Sequence, residues 1–248
     1  MNMNLNTDGL VIKESATGEK DRVVTLLTRD LGVIRAFVRG AKIAKSRSVS
    51  ATQLLGYSKL SIYRGRDAYI VDDARPEEIF FGLRGNIERL SLAQYFCELA
   101  GEIAPRESEA GEYLSLILNA IHLLEAAKRP QPLIKAVTEL RLMCLSGYMP
   151  DIAACSECGG SGDGYMYFNK ETGRLFCSSC GTGNHGAPTG IGVVSAMRHI
   201  CRSEPKKIFN FNLSEKGLEE LAAVTEEYLL THLQRKFKTL DFYSQLIK

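Results

Sequence analysis

Two hydrophobic periods divide the chain. From residue 8 to residue 73, apolar and polar positions alternate in short runs: "DGLVIKE", "DRVVTLLT", "GVIRAFVRG", "LLGYSKLSIYRG" and "AYIVDDA". These runs are rich in Val, Ile, Leu and Tyr and are separated by turns bearing Gly, Asp or Ser. A period of two is the mark of a strand, because successive side chains leave it on opposite faces. Five such strands, with no helical stretch of comparable length among them, predict a small barrel, for which the five-stranded OB-fold is the common solution. The longer segment 41–53 reads either as a loop or as the short helix that such barrels place there.

Past Pro76 the period lengthens to that of a helix. Residues 84–104 are apolar almost all round, which predicts a buried helix. Ser108 is placed to cap a second helix over 109–128, and Pro132 opens a third that ends at Gly147 and Pro150. Helical spacing resumes over 190–203. It returns over 214–240 behind a Ser214 cap, with Leu218, Leu221, Tyr228, Leu229, Leu233, Phe237 and Leu240 in step. A Cys- and Gly-rich insert interrupts the helices. The chain is thus predicted to be α+β: an OB-fold barrel over 1–76, a helical domain over 77–150 and 187–248, and an inserted module over 151–186.

The insert carries the clearest chemistry. "CSECG" and "CSSCG" place Cys155, Cys158, Cys177 and Cys180 as two C-x-x-C pairs with 18 residues between them. A two-residue spacer lets both sulfurs of a pair face one tetrahedral ion, which is the four-thiolate zinc pattern. Gly159 and Gly181 supply the backbone freedom that a tight knuckle needs, and "YMYFNKETGRLF" reads as a hairpin turning at Thr172-Gly173. A redox C-x-x-C needs one pair in a βαβ setting, and unmetallated thiols are the blandest alternative. Four protein ligands leave no open position, so the expected zinc is structural, one per chain, holding an insert too small for a core of its own. His185 follows the second knuckle as a conceivable substitute ligand. Cys97, Cys144 and Cys201 lie in apolar helical stretches and read as small buried hydrophobes.

The 248 residues contain seven cysteines, an odd number that argues against a disulfide framework. No apolar run approaches the ~20 residues that span a bilayer, and the N-terminus has no signal-peptide layout. A cytoplasmic protein without a membrane partner is expected.

No catalytic pattern emerges. "RGAKIAKS" keeps the Lys45-Ser46 of a phosphate loop but has Arg39 and Ala44 where its glycines belong. Asp72 and Asp73 are adjacent on a strand, where they should face opposite ways. Neither an enzyme nor a small-molecule substrate is expected.

Charge changes the picture at one place. Between Asp30 and Asp67 there is no Asp or Glu. Eight of the 31 Lys and Arg fall there, which leaves 23 against 29 acids elsewhere: a +8 segment on a remainder of −6. Such a field suits a polyanion. Strand alternation then sets Arg35, Phe37 and Arg39 opposite Ile34, Ala36 and Val38, and Tyr57, Lys59, Ser61 and Tyr63 opposite Leu60 and Ile62. With the aliphatic faces inside, the outside mixes cations that follow phosphates with rings that stack on bases. Solvated strand faces also carry charge and tyrosine, but a face kept merely wet ordinarily mixes both signs. The candidate nucleic-acid-binding residues are Arg35, Phe37, Arg39, Lys42, Lys45, Arg47, Tyr57, Lys59, Tyr63, Arg64 and Arg66. A second group, His232, Arg235, Lys236 and Lys238, either extends this surface or complements a helix C-terminus.

With barrel, helices and cysteine insert in this order, the chain resembles the zinc-containing subgroup of the RecO family of bacterial recombination and DNA-repair proteins. The likeness runs nearly end to end. It is carried by "GLVIKESATGEKDRVVTLLTRDLGVIRAFVRGAKIAKSRS", by "ELRLMCLSGYMPDIAACSECGG", by the hairpin leading to "CSSC", and by "EYLLTHLQRKFKTLDFYSQL". The spacing "T-R-D-L-G … R-G-A-K … K-S" together with "G-Y-M-P … C-x-x-C-G" is specific in combination. The resemblance implies an N-terminal OB-fold, binding to single- and double-stranded DNA, and annealing of complementary strands in the RecFOR pathway of DNA-damage repair. It also implies association with the nucleoid, and contact with RecR and with the C-terminal tail of the single-stranded-DNA-binding protein SSB, so that RecA loads onto coated gaps. The residues carried over are Arg35, Arg39, Lys42, Lys45 and Arg47. Relatives often place a further basic residue where Ile43 stands. Some members lack the cysteines, which makes the zinc a stabiliser. The expectation is a non-enzymatic DNA-binding mediator. Its rival is an adaptor that docks SSB or RecR through the helical domain, with DNA contact incidental.

Overall fold

The computed structural model describes residues 4–17, 21–40, 48–66, 68–162, 164–181 and 186–247. The strands are β1 (Leu5–Thr17), β2 (Asp21–Thr28), β3 (Gly32–Val38), β4 (Gly56–Arg64), β5 (Tyr69–Ile79), β6 (Tyr165–Asn169), β7 (Arg174–Cys177) and β8 (Ala187–Gly190). The helices are α1 (Ser48–Ala51), α2 (Ile87–Ile103), α3 (Gly111–Ala126), α4 (Gln131–Leu145), α5 (Ile191–Arg202), α6 (Glu215–Leu233) and α7 (Lys238–Leu246). They form two compact units, Met1–Ala126 with Phe237–Lys248, and Ala127–Lys236. Among the described residues no helix is long and apolar enough to cross a membrane.

The first unit contains the expected OB-type barrel, but it also takes in α2, α3 and α7, which the sequence pattern groups with the other helices. Its strands close in the order β1-β2-β3-β5-β4, with β3 and β5 parallel and the other neighbours antiparallel. Alternation explains the core: Val11, Val24, Leu26, Ile34, Ala36, Val38, Leu60, Ile62, Val71 and Ala74 point inward and are buried together. The segment between β3 and β4 does contain a short helix, and Ala51 from it is buried in that core. Ser58 Oγ donates to the Ala51 carbonyl at 2.8 Å. On the outside, Leu10 and Leu27 stand opposite each other across β1 and β2, fully buried where α2 and α3 meet those strands. Asn86 caps α2 by accepting from the Arg89 amide at 2.9 Å. Helix α7 packs along α2, with the Phe237 ring edge-on to Tyr95 at 5.8 Å.

Several sequence expectations shift here. Strand β5 continues past Pro76 to Ile79, because the proline sits where the register with β4 slips and needs no amide to donate. A second slip falls at Asp72, so Asp72 and Asp73 are both exposed on the outer surface instead of facing opposite ways. Helix α3 starts at Gly111, too late for Ser108 to cap it. The single helix expected over 214–240 is two, because Gln234 adopts a left-handed conformation (φ 49°) that ends α6 before α7 begins.

In the second unit α4, α5 and α6 pack together beside the three-stranded sheet β7-β6-β8. Lys135 is buried between Glu139 at 2.8 Å and Glu226 at 2.7 Å. Burial opposes its charge, but the two carboxylates outweigh burial and raise its pKa. The β6–β7 hairpin turns where expected, with Gly173 at φ +68°. The insert is not coreless, however. Met166, Phe168 and Leu175 are buried, β6 meets α5, and the Phe168 ring lies 5.5 Å from Tyr228 of α6, so the hairpin shares the helical core.

Candidate metal centre and nucleic-acid interface

The hairpin brings the two knuckles together. The Sγ atoms of Cys155, Cys158, Cys177 and Cys180 all lie within 4.8 Å of one another, and Cys158 and Cys177 are 3.7 Å apart. A tetrahedral ion with sulfur bonds of ~2.3 Å has edges of ~3.8 Å, so these sulfurs can hold one metal ion with little movement. In both knuckles the glycine amide turns back to the first cysteine: Gly159 donates to Cys155 at 2.9 Å and Gly181 to Cys177 at 2.7 Å. The two glycines are needed for different reasons. Gly159 has φ +72°, as expected, whereas Gly181 is required because a Cβ there would lie 2.2 Å from the Tyr167 ring.

The electrostatics fit a cation as well. Burial works against the Cys155 thiolate, but backbone amides, first that of Cys158 and then that of Cys177, hold the thiol at about 6. Cys180 is pushed up to about 12, first by Cys177 and then by Cys158. A thiolate in this cluster therefore makes the next one harder to form, and a divalent ion relieves that repulsion. Among the described residues no histidine joins the cluster, and His185 lies outside them.

The second site is on the barrel. Inward Ile34, Ala36 and Val38 leave Arg35 and Arg39 exposed and Phe37 half-buried, as alternation predicts. Register extends that face sideways: Phe37 stands beside Ile70 of β5, and Ile70 beside Tyr63 of β4. The result is an outward row of half-buried rings and aliphatic surface across three strands. Next to it runs a groove of about 450 Å³ lined by Arg35, Arg64, Arg66 and Arg106, with Glu107 the one acid among the described residues that line it. The Arg64 guanidinium lies 6.0 Å from the Tyr69 ring centroid and 3.4 Å from Glu107.

Arg106 was not legible as part of this surface. It follows α2 and reaches the barrel because Val33 donates to the Pro105 carbonyl at 2.8 Å and Gly32 pairs with Arg106. A side chain at Gly32 would meet that carbonyl at 2.1 Å, and its φ is +60°, so glycine is required twice over. The glycine was visible in the sequence, but what it approaches was not.

The structure divides the predicted DNA-binding residues. Arg35, Phe37, Tyr63, Arg64 and Arg66 come together at the groove and its ring row, and Arg39 lies just beyond the far end of β3. Tyr57 and Lys59 lie at the opposite end of β4, among acids. The Tyr57 hydroxyl donates to Asp8 at 2.6 Å, and Lys59 lies 3.3 Å from Glu77. Lys42, Lys45 and Arg47 fall outside the described residues.

Comparison with known proteins agrees with this architecture. The "Recombination protein O N terminal" family model matches residues 1–80, and the "Recombination protein O C terminal" model matches residues 84–241. The DNA repair protein RecO of Acetivibrio thermocellus is 34% identical over 243 residues, covering 98% of this chain and 97% of its own length. Its namesake from Symbiobacterium thermophilum is 30% identical over 247 residues, covering 97% of each chain. An OB-type barrel, a helical region and a four-cysteine cluster thus coincide with end-to-end sequence similarity, and the chain belongs to the RecO family of DNA repair and recombination proteins.

Proposed function

We propose that this chain is a DNA-binding recombination mediator that makes and breaks no covalent bond. The observation that carries this reading is the groove of four arginines beside the Phe37–Ile70–Tyr63 row. Guanidinium groups along a phosphate backbone weaken the repulsion between two strands, while rings accept bases that a duplex would hide. A surface of this kind binds either strand through its phosphates and holds unpaired bases outward long enough for complementary strands to anneal. In the cell, family membership supports a cytoplasmic, nucleoid-associated role with RecR and the C-terminal tail of SSB, helping RecA load onto SSB-coated gaps.

The same reading assigns the cysteine cluster to one structural zinc ion, as in the zinc-containing subgroup. Cys155, Cys158, Cys177 and Cys180 would supply all four ligands, and the ion would supply folding energy to the module and no open coordination position.

The deciding assay is annealing of complementary SSB-coated oligonucleotides, comparing the native chain with R35E/R66E/R106E. The native chain should anneal them and the variant should not. With four phosphate contacts, log K for single strands should fall with log salt at a slope of about −3. An affinity independent of salt, or annealing unchanged in the variant, overturns the DNA assignment. For the metal, elemental analysis and X-ray absorption should find one zinc bound by four sulfurs at ~2.3 Å. A metal-free chain purified without chelator would overturn the zinc assignment alone.

A further inference from the structure

We infer that Cys144 and Cys201 form a peroxide-responsive dithiol at the root of the cysteine module, closing to a disulfide that clamps α4 to α5. The inference rests on the second unit and not on the DNA-binding reading. Cys144 lies in the last turn of α4 and Cys201 in the last turn of α5, and their sulfurs are in hydrogen-bond contact at 3.5 Å. A disulfide needs ~2.05 Å, so little separates the reduced pair from the bond. Each cysteine alone reads as a small buried hydrophobe, and their pairing is visible only once the helices pack.

The surroundings give the two thiols different roles. Cys201 is buried, whereas Cys144 is partly exposed, so a small hydroperoxide can reach it. Arg141, one turn before Cys144, donates to the carbonyls of Ile200 at 3.2 Å and Cys201 at 2.9 Å. That fixes the end of α5 against α4 and leaves a positive charge beside the pair. The bond shared with Cys201, together with Arg141, holds the Cys144 thiol below its ordinary pKa despite burial. Sharing that bond and being buried raise Cys201. Partial exposure and the neighbouring Arg141 charge mark Cys144 as the sulfur that meets the peroxide, and buried Cys201 as the resolving thiol. Cys97, sealed in α2, is pushed up to about 12 by burial and has no sulfur partner among the described residues.

The chemistry balances with hydrogen peroxide as the oxidant. The Cys144 thiolate attacks one peroxide oxygen, the O–O bond breaks, and hydroxide leaves and is protonated, giving a sulfenic acid. The Cys201 sulfur then attacks Cys144, its proton joins the departing hydroxyl, and water leaves as the S–S bond forms. Two thiols and one peroxide become one disulfide and two waters, with two electrons passing from sulfur to oxygen.

Position gives the bond its consequence. The two cysteines are 57 positions apart in the chain, and the interval contains the whole four-cysteine module. Between them lies the path through Tyr148, whose carbonyl accepts from the Tyr228 hydroxyl at 3.0 Å. Burial, then the nearby Cys144 and Cys201, push that phenol up to about 12. A disulfide here would secure the module's root whether or not its metal stays bound.

The test uses the full chain with its metal. Peroxide is added stepwise, free thiols are alkylated, and tryptic peptides are read by mass spectrometry while a chelating dye reports released metal. The Cys201 peptide should become joined to the peptide bearing Cys144 at peroxide levels that release no metal, and dithiothreitol should separate them. The thermal midpoint of the oxidised chain should rise by on the order of 10 °C. C144S should abolish both effects and C97S neither. C201A, which places a small apolar residue in the buried position, repeats the test should C144S fold poorly. A Cys201 peptide that stays free while metal is released, or that is joined equally in C144S, overturns the inference.

Discussion

The two ends of β4 look alike in the sequence and are opposites in space. Each carries a tyrosine and a cation in a stretch without acids, yet they lie ~20 Å apart along the strand. At the Tyr57–Lys59 end, Asp8 binds Arg29 through two hydrogen bonds of 2.8 and 2.9 Å and also accepts from Tyr57. Glu77 and Asp73 from β5 complete that surface, pairing with Lys59 and Arg75. At the Tyr63–Arg64 end, the described residues lining the groove set four arginines against one acid, Glu107. The reason is topological. Strand β4 runs between β1 and β5 at its start, and both neighbours carry carboxylates there. Pairing with β1 stops at Leu5 and Ile62, so the end of β4 leaves that acidic neighbour behind. The sign of a surface is set by strand neighbours across the sheet, not by neighbours along the chain.

Charge reversal at each end breaks this comparison most directly. R35E/R66E/R106E removes three candidate phosphate contacts, and the single-strand salt dependence makes that a loss on the order of 100-fold at 0.1 M salt. K59E replaces a cation that already faces Glu77 across an exposed pair, and should change affinity by less than about 2-fold. Fluorescence anisotropy with a labelled oligonucleotide measures both. Comparable losses from the two variants would mean that the ends are equivalent and that DNA tracks the whole strand.

The aromatic row sharpens the same contrast. If Phe37 and Tyr63 stack on bases, F37A and Y63A should each weaken binding by about 5-fold or more, since a stacked base contributes ~1–3 kcal/mol. Y57F should leave binding unchanged, because the Tyr57 hydroxyl is committed to Asp8. An oligonucleotide carrying abasic sites separates stacking from lost packing. On it the native chain and F37A should bind alike, and a persisting difference would show that Phe37 acts by shaping the barrel.

Much of this was readable beforehand, for identifiable reasons. Period-two alternation reports which side of a strand is inward, so the placement of Ile34, Ala36 and Val38 against Arg35 and Phe37 followed from the sequence. Paired C-x-x-C spacing constrains sulfur positions so tightly that the cluster needed only the hairpin to close it. What was hidden is whatever depends on a distant partner. Arg106 joins the groove through a backbone contact at Gly32 that no local pattern specifies. The acids that neutralise Lys59 and enclose Tyr57 lie on other strands. Asp72 and Asp73 share a surface because one residue slips in the ladder, and a slip leaves no trace in hydrophobic spacing. The break at Gln234 was masked because α6 and α7 are both amphipathic and their apolar positions stay nearly in step.

The smallest expected effect concerns why the acidic end exists. Burial opposes the Asp8 carboxylate, but hydrogen bonds from Arg29 and Tyr57 and the charge of Arg29 outweigh it and lower its pKa in the folded chain. A carboxylate lowered on folding stabilises fully above its unfolded pKa of ~3.9, and that contribution disappears as pH falls from there towards the folded value. The native thermal midpoint should therefore fall more steeply below pH ~4 than that of D8N, whose midpoint should already sit a few degrees lower at pH 7. At pH 7, D8N should bind single-stranded DNA within about 2-fold of the native chain, because the Asp8 carboxylate ties the turn after β2 and the start of β4 to β1 and is not among the residues lining the arginine groove. A several-fold gain in affinity would instead show that Asp8 repels DNA from this end, giving the acids a part in directing the strand to the groove.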